Sequence, residues 1–191
     1  MKDGGDDMRK RIIAAAIEEI YERGIKFTMH DLARRLGVSK RCLYEHFKSK
    51  DVLISCLVDC SLADITEQRR RILSDESLSC QEKIRGILCC RVTMFSPIEG
   101  RIADEIRRFM PAEWLRIEQF MNDDWKSVEQ FLKVSIEKGE LREVHLPIVH
   151  KMVNGAIKEL VDYRFLEQNG ISFSQARNYM VDALLYGMVS R

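Results

Sequence analysis

The chain has 191 residues, of which 46% are hydrophobic and 32% charged, with a formal net charge of +1. This length suits one mid-sized domain or a small domain joined to a larger one, and the apolar share is enough to build a core, which excludes a disordered chain. Three prolines and ten glycines exclude fibrous and low-complexity classes, and no uninterrupted apolar run approaches the ~18 residues that a membrane span requires.

The charge is unevenly distributed. Met8 to Ser55 hold 11 Lys and Arg against 6 Asp and Glu, whereas residues 1–7 and 56–191 each carry a net −2. The basic excess is therefore confined to the amino-terminal quarter. Six cysteines (Cys42, Cys56, Cys60, Cys80, Cys89 and Cys90) show no paired CxxC spacing, and the opening residues MKDGGDD contain no apolar run. They read as reduced thiols of a cytoplasmic protein.

Helical periodicity runs through almost the whole sequence, and strand alternation is nearly absent. Residues 1–7 are expected to form a disordered tail. Ile12, Ile13, Ala16, Ile17 and Ile20 share one face of a first helix, from about Arg9 to Arg23, which Gly24 stops. Thr28, with Asp31 three residues on, opens a short second helix with Leu32, Ala33 and Leu36 as its buried stripe, and Gly37 ends it. Ser39 caps a third helix from Lys40 to about His46. Ser49 caps a fourth that reaches the arginines at 69–71. Later helix starts are marked by Ser79 with Glu82, Ser96-Pro97 with Glu99, Pro111, Pro147, and Ser172 with Gln175. Gly139 and Gly170 mark two stops. The expectation is an all-α protein of about nine helices, divided at residues 54 and 55.

The third predicted helix carries the chemistry. Leu43 and Phe47 point inward on a helical wheel, leaving a polar and mostly basic outer arc. Small Ala33 at the crossing, Gly37 in the turn, and Val38 with Leu43 as the lock fit a helix-turn-helix. In that motif the second helix enters the major groove, where Arg donates to guanine and Glu accepts from cytosine. Arg41 and Glu45 are the candidate base readers, and Cys42 is placed to touch a thymine methyl. Tyr44, His46 and Lys50 flank the arc where phosphates pass, and Thr28 with His30 opens a helix whose free N–H groups suit a phosphate.

Residues 11–53, RIIAAAIEEIYERGIKFTMHDLARRLGVSKRCLYEHFKSKDVL, resemble the amino-terminal domain of TetR-family transcriptional regulators. The resemblance spans the first-helix alanines, Gly24, Thr28, Leu32-Ala33, the GVS turn, Leu43-Tyr44, His46-Phe47 and the SKD that opens helix four. It implies a DNA-binding domain at 8–54 whose contacts include Thr28, Lys40, Arg41, Tyr44, His46 and Lys50. It also implies a helical domain at 55–191 that binds a small-molecule effector and forms a homodimer. The expected function is a ligand-responsive repressor on a palindromic double-stranded DNA operator. Arg41-Cys42 departs from the family's usual small residue followed by Thr or Ser, so base preference does not transfer.

Beyond the resemblance, Ile148, Val149, Met152, Val153, Ala156, Ile157, Leu160 and Val161 make an apolar stripe too broad for one small partner. Phe173, Ala176, Met180, Ala183, Leu184 and Gly187 make another. These last two helices are the candidate dimer interface, with an ordinary intramolecular core as the alternative. Phe95, Phe109 and Trp114, from an aromatic and Met-rich stretch, are the candidate ligand-binding residues, with Arg91 and Asn122 as polar groups to orient a ligand.

Three other readings are weaker. His145 and His150 straddle Pro147 at a spacing that does not suit a metal. Cys56 with Cys60, or Cys89 with Cys90, would serve a thiol-based redox sensor. A helical enzyme or scaffold without a DNA role lacks any P-loop, GxSxG, HExxH or dinucleotide fingerprint. No cofactor is expected.

Overall fold

The computed structural model describes residues 3–188 other than Pro97. These residues form α1 (Asp3–Arg23), a 3-10 turn (Gly24–Lys26), α2 (Met29–Leu36), α3 (Lys40–His46) and α4 (Lys50–Ser74). There follow α5 (Cys80–Leu88), a second 3-10 turn (Thr93–Phe95), α6 (Glu99–Phe109), α7 (Pro111–Glu137), α8 (Leu146–Leu160), α9 (Tyr163–Gln168) and α10 (Phe173–Met188).

Capping chemistry sets most of these boundaries. Thr28 and Asp31 bond reciprocally at the start of α2, as Ser79 and Glu82 do at α5. Ser39 and Ser49 accept from the amides of Cys42 and Val52 at 3.2 and 3.1 Å.

Three boundaries differ from the sequence expectation. α1 starts at Asp3, so residues 3–7 belong to the helix instead of a tail. Gly4 and Gly5, poor helix formers, conceal this extension in the sequence. Ser96 does not cap α6: the N-cap is Ile98, without a side-chain bond, and Glu99 is the first helical residue. The Ser96 carbonyl instead accepts from the Tyr21 hydroxyl at 2.5 Å; Pro97 lies outside the described residues. Finally, the helix expected to reach Gly170 breaks after Leu160, because the Asp162 carboxylate accepts from the amides of Arg164 and Phe165 and starts α9. Ten α-helices result among the described residues where about nine are predicted.

Two apolar clusters hold the helices together. The first joins α1, α2, α3 and the first half of α4 around Ile12, Ile20, Leu32, Leu43, Phe47 and Leu57, and it also takes in Phe95, Ile102 and Ile106. The second gathers α5, α7, α8 and α10 around Ile87, Trp125, Leu132, Val153 and Val181. The core of residues 8–54 thus runs without a break into the helices that follow. Val149, Val153 and Val161 of the α8 stripe, and Ala176 of the α10 stripe, are buried within the chain. Ile148 and Met152, at 55% exposure each, face outward. The broad stripe therefore divides into an inner face and an uncovered one.

Candidate functional site

The turn between α2 and α3 depends on Gly37, whose φ of +67° is in the region that a side chain disfavours. Its amide donates to the Arg34 carbonyl at 3.2 Å, and that of Val38 to the Ala33 carbonyl at 3.0 Å. α3 is then anchored by Leu43 and Phe47, both fully buried. Arg9 supports it from α1, with its guanidinium 4.3 Å from the centre of the Phe47 ring and its Nη1 donating to the His46 carbonyl at 3.3 Å. Sequence patterning gave no signal for Arg9, since a basic residue early in a helix is ordinary.

Lys40, Arg41, Tyr44 and Glu45 are exposed, and Cys42 and His46 are half-buried. Arg41 Nε lies 3.4 Å from Glu45 Oε1, so the two candidate readers pair with each other in the free protein. Thr28 and His30 are exposed at the start of α2. The Thr28 hydroxyl donates to Asp31 Oδ2 at 2.6 Å and is already engaged. Lys50 is half-buried at the start of α4, with Nζ 5.0 Å from the centre of the Phe27 ring. Burial lowers its pKa, opposed by the negative charges of Asp51 and Glu105.

α6 grips the end of α1. Arg101 Nη2 donates to the Ile20 and Tyr21 carbonyls at 3.0 and 2.9 Å, and Glu105 accepts from the Ile25 amide at 2.7 Å. α7 in turn grips α4, through Arg116 on Ser55 at 2.7 Å and on Asp59, and through the Arg69–Asp124 pair. α4 therefore continues from the helix-turn-helix into the larger helical part and is held in both.

Beside α4 lies an apolar cavity of about 130 Å³. Its walls include Ile20 and Ile25 from the first helices, Leu57 and Ser61 of α4, and Glu99 and Ile102 of α6. Two of the three candidate ligand residues, Phe95 and Trp114, line it. Phe109 does not: it is 53% exposed, beneath the Lys26 ammonium at 4.4 Å. Arg91 and Asn122 are also exposed and absent from the walls. Sequence reasoning missed Ser61 and Glu99 because isolated polar residues on helices are usually solvated.

The thiol-sensor alternative gains no support. Burial raises the pKa values of Cys60, Cys89 and Cys90, opposite to the direction that makes a thiolate reactive. Cys89 Sγ donates to Asn178 Oδ1 at 3.1 Å and Cys90 Sγ to the Gly86 carbonyl at 3.2 Å. The adjacent pair is thus committed to separate partners. Among the described residues no group of three His, Cys, Asp or Glu is placed to hold a metal, and no helix is long and apolar enough to cross a membrane.

An exposed, mostly basic helix anchored through a helix-turn-helix and joined by α4 to a cavity-bearing helical part is the arrangement of a DNA-binding regulator. Residues 12–55 match the model of the bacterial regulatory proteins of the tetR family. The uncharacterised HTH-type transcriptional regulator YvaF of Bacillus subtilis is 27% identical over 183 residues, 96% of either chain. The fold is also that of a TetR-family transcriptional regulator from Pectobacterium atrosepticum, with 21% identity, a TM-score of 0.69 and coverage of 100% of this chain and 98% of that one. SmeT of Stenotrophomonas maltophilia, in its triclosan complex, aligns at 19% identity with a TM-score of 0.65 over 96% of this chain and 92% of that one. Residues 12–55 are thus a DNA-binding domain of the tetR type, and the chain is similar over nearly its whole length to an HTH-type transcriptional regulator.

Proposed function

We propose that the protein is a cytoplasmic, ligand-responsive repressor that binds a palindromic operator as a homodimer, with α3 as its reading helix. The observation that carries this is the outer arc of α3. Leu43 and Phe47 are 0% exposed, while Lys40, Arg41, Tyr44 and Glu45 stand in solvent with the Arg41–Glu45 pair as their link. A surface pair of this kind is worth about 0.3–0.5 kcal/mol, so a guanine that takes Arg41 in a bidentate contact, worth about 1–3 kcal/mol, displaces it and frees Glu45 for a cytosine N–H. Arg41 and Glu45 read base edges, Cys42 meets a thymine methyl, and Lys40, Tyr44 and His46 hold phosphates. His30 lies at the α2 start, where the first-turn amides face a phosphate, while the amide of Thr28 itself is held by Asp31 Oδ2 at 2.9 Å. Lys50 swings off the Phe27 ring to reach a phosphate. Phe27 is 1% exposed, so leaving its ring costs about 2 kcal/mol, within the ~1.5–3 kcal/mol of a hydrogen bond to a charged group.

Repression and ligand response are supported by the position of the cavity. Ile20 and Ile25 belong to the amino-terminal core and also form cavity walls, so a molecule that fills the cavity presses on the elements that carry α3. Its effect is set by its differential affinity for the two arrangements. SmeT, of the same fold, is the repressor of a multidrug efflux pump and binds triclosan, which favours the same assignment here. The dimer is assigned to the uncovered faces of α8 and α10, with Ile148, Met152 and Tyr179 exposed on them.

Selection of duplexes from a randomised library, followed by titration of the best site at several salt concentrations, tests this function. The expected result is a palindromic consensus and a steep loss of affinity with salt. Arg41→Ala relaxes base preference, and Lys50→Ala weakens all duplexes alike. Unchanged binding in both variants removes α3 and the α4 start from the interface.

A further inference from the structure

The chemistry of the cavity wall narrows the class of its occupant. Ser61 and Glu99 on the wall both present acceptors. The Ser61 hydroxyl donates to the Leu57 carbonyl at 2.8 Å, which leaves its oxygen lone pairs without their own hydrogen. Glu99 is 7% exposed, and its Oε2 is buried without a hydrogen-bond partner. The indole of Trp114 is the remaining polar side chain on the wall, and its N–H is committed to Glu118 Oε1 at 2.9 Å. Among the described residues no side-chain donor on the wall is free to meet an anion or a carbonyl.

Arg177 is the cation that acts on Glu99 from α10, yet it forms no ion pair with it among the described residues. Its Nη1 donates to the Cys90 carbonyl and its guanidinium lies 4.8 Å over the Phe173 ring. It does not line the cavity. Glu99 Oε2 and Arg177 Nε and Nη2 are all buried without hydrogen-bond partners, so the attraction of Arg177 leaves the carboxylate oxygen's hydrogen-bonding capacity unmet, and a group that brings N–H donors to it relieves that cost. The rest of the wall is apolar, and the volume of about 130 Å³ is close to the ~150 Å³ of an apolar cavity that holds one benzene ring.

We infer that the cavity takes a small organic cation, one hydrocarbon ring bearing a protonated amine, with its ammonium on Glu99 Oε2 and its ring against Phe95 and Trp114. This rests on the proposal that the cavity is the effector site. An acceptor-only wall rejects carboxylates of the same shape, because their charge meets Glu99 and finds no donor.

Calorimetric titration with benzylamine, benzyl alcohol and benzoate separates these possibilities, since the three share one ring and differ in charge. The wild-type protein should bind benzylamine at least about tenfold more tightly than benzyl alcohol, the lower range for a charge-assisted hydrogen bond, and benzoate more weakly still. Glu99→Gln should remove most of that preference while leaving benzyl alcohol within about twofold, because shape and apolar wall are kept. Equal affinity for amine and alcohol, tight binding of benzoate, or a preference that survives in Glu99→Gln overturns the inference but leaves an effector site in place. Binding of none of the three overturns both. The wild-type comparison decides the matter even if Glu99→Gln fails to fold, which its melting curve reports.

Discussion

Glu19 shows how much a single buried charge depends on its partners. It is 2% exposed on α1, yet Arg35 of α2 donates to its Oε1 at 2.6 Å and also pairs with Glu18 and Glu22 at 3.1 and 2.6 Å. Replacing Arg35 by Met would keep the aliphatic stem and leave the carboxylate only the longer contact with Arg23 Nε at 3.5 Å, so Arg35→Met should lower stability by about 1–3 kcal/mol in denaturant unfolding. His150 offers a second case. Its ring stacks on Trp125 at 4.5 Å, and burial, assisted by Lys151, holds its pKa below the ordinary 6.5, against the pull of Glu129. A lowered histidine pKa means that the unfolded chain takes up the proton more readily. Its contribution is therefore complete above pH 6.5 and is lost as the pH falls towards the folded value. The melting temperature should drop on acidification below 6.5, and His150→Phe, which keeps the stack, should show a shallower drop over that range.

At the scale of elements, the joint between α1 and α6 decides how the reading head is held. Gly24 adopts φ +69°, and a Cβ there would run into the Glu105 carboxylate that accepts from the Ile25 amide. Gly24→Ala should cost about 1–2 kcal/mol for the left-handed backbone alone, with more for displacement of Glu105. Thermal unfolding measures the loss. Glu105→Gln, which keeps an acceptor for Ile25, should be milder. The break between α8 and α9 has a comparable local cause in the Asp162 cap. Asp162→Ala should destabilise by about 1 kcal/mol, the usual value of such a cap, as read from urea midpoints.

Across the whole molecule, two distant surfaces must work as one. α3 lies at the amino-terminal end, while Ile148, Met152, Phe165, Tyr179 and Tyr186 leave apolar area uncovered on α8, α9 and α10. If a second copy covers this face, Met152→Lys together with Tyr179→Glu should shift the mass in sedimentation from dimer to monomer. Operator affinity should fall with it, since a palindrome needs two heads about 34–36 Å apart. An unchanged dimer mass places the interface elsewhere.

Much of this was legible in the sequence, for local reasons. Thr28 with Asp31, Ser39, Gly37 and Ser79 with Glu82 fix their helix ends by bonds made within four residues, and Leu43 with Phe47 declares which side of α3 is buried. The sequence therefore determined the all-α class, the helix-turn-helix and which face of α3 is left in solvent. Only tertiary structure decided the rest. Ser96 and Asp162 differ little as candidate caps, and the packing around each selects one as a cap and the other as an acceptor for Tyr21. Phe95, Phe109 and Trp114 look alike in a stretch of aromatic residues, but helix rotation puts two on the cavity wall and turns one to solvent beneath Lys26. The unpaired oxygen of Glu99 and the arrival of Ile20 and Ile25 at the same cavity arise from contacts between residues some 80 positions apart. Periodicity reports which face of a helix is apolar, whereas what that face meets depends on how the helices are assembled.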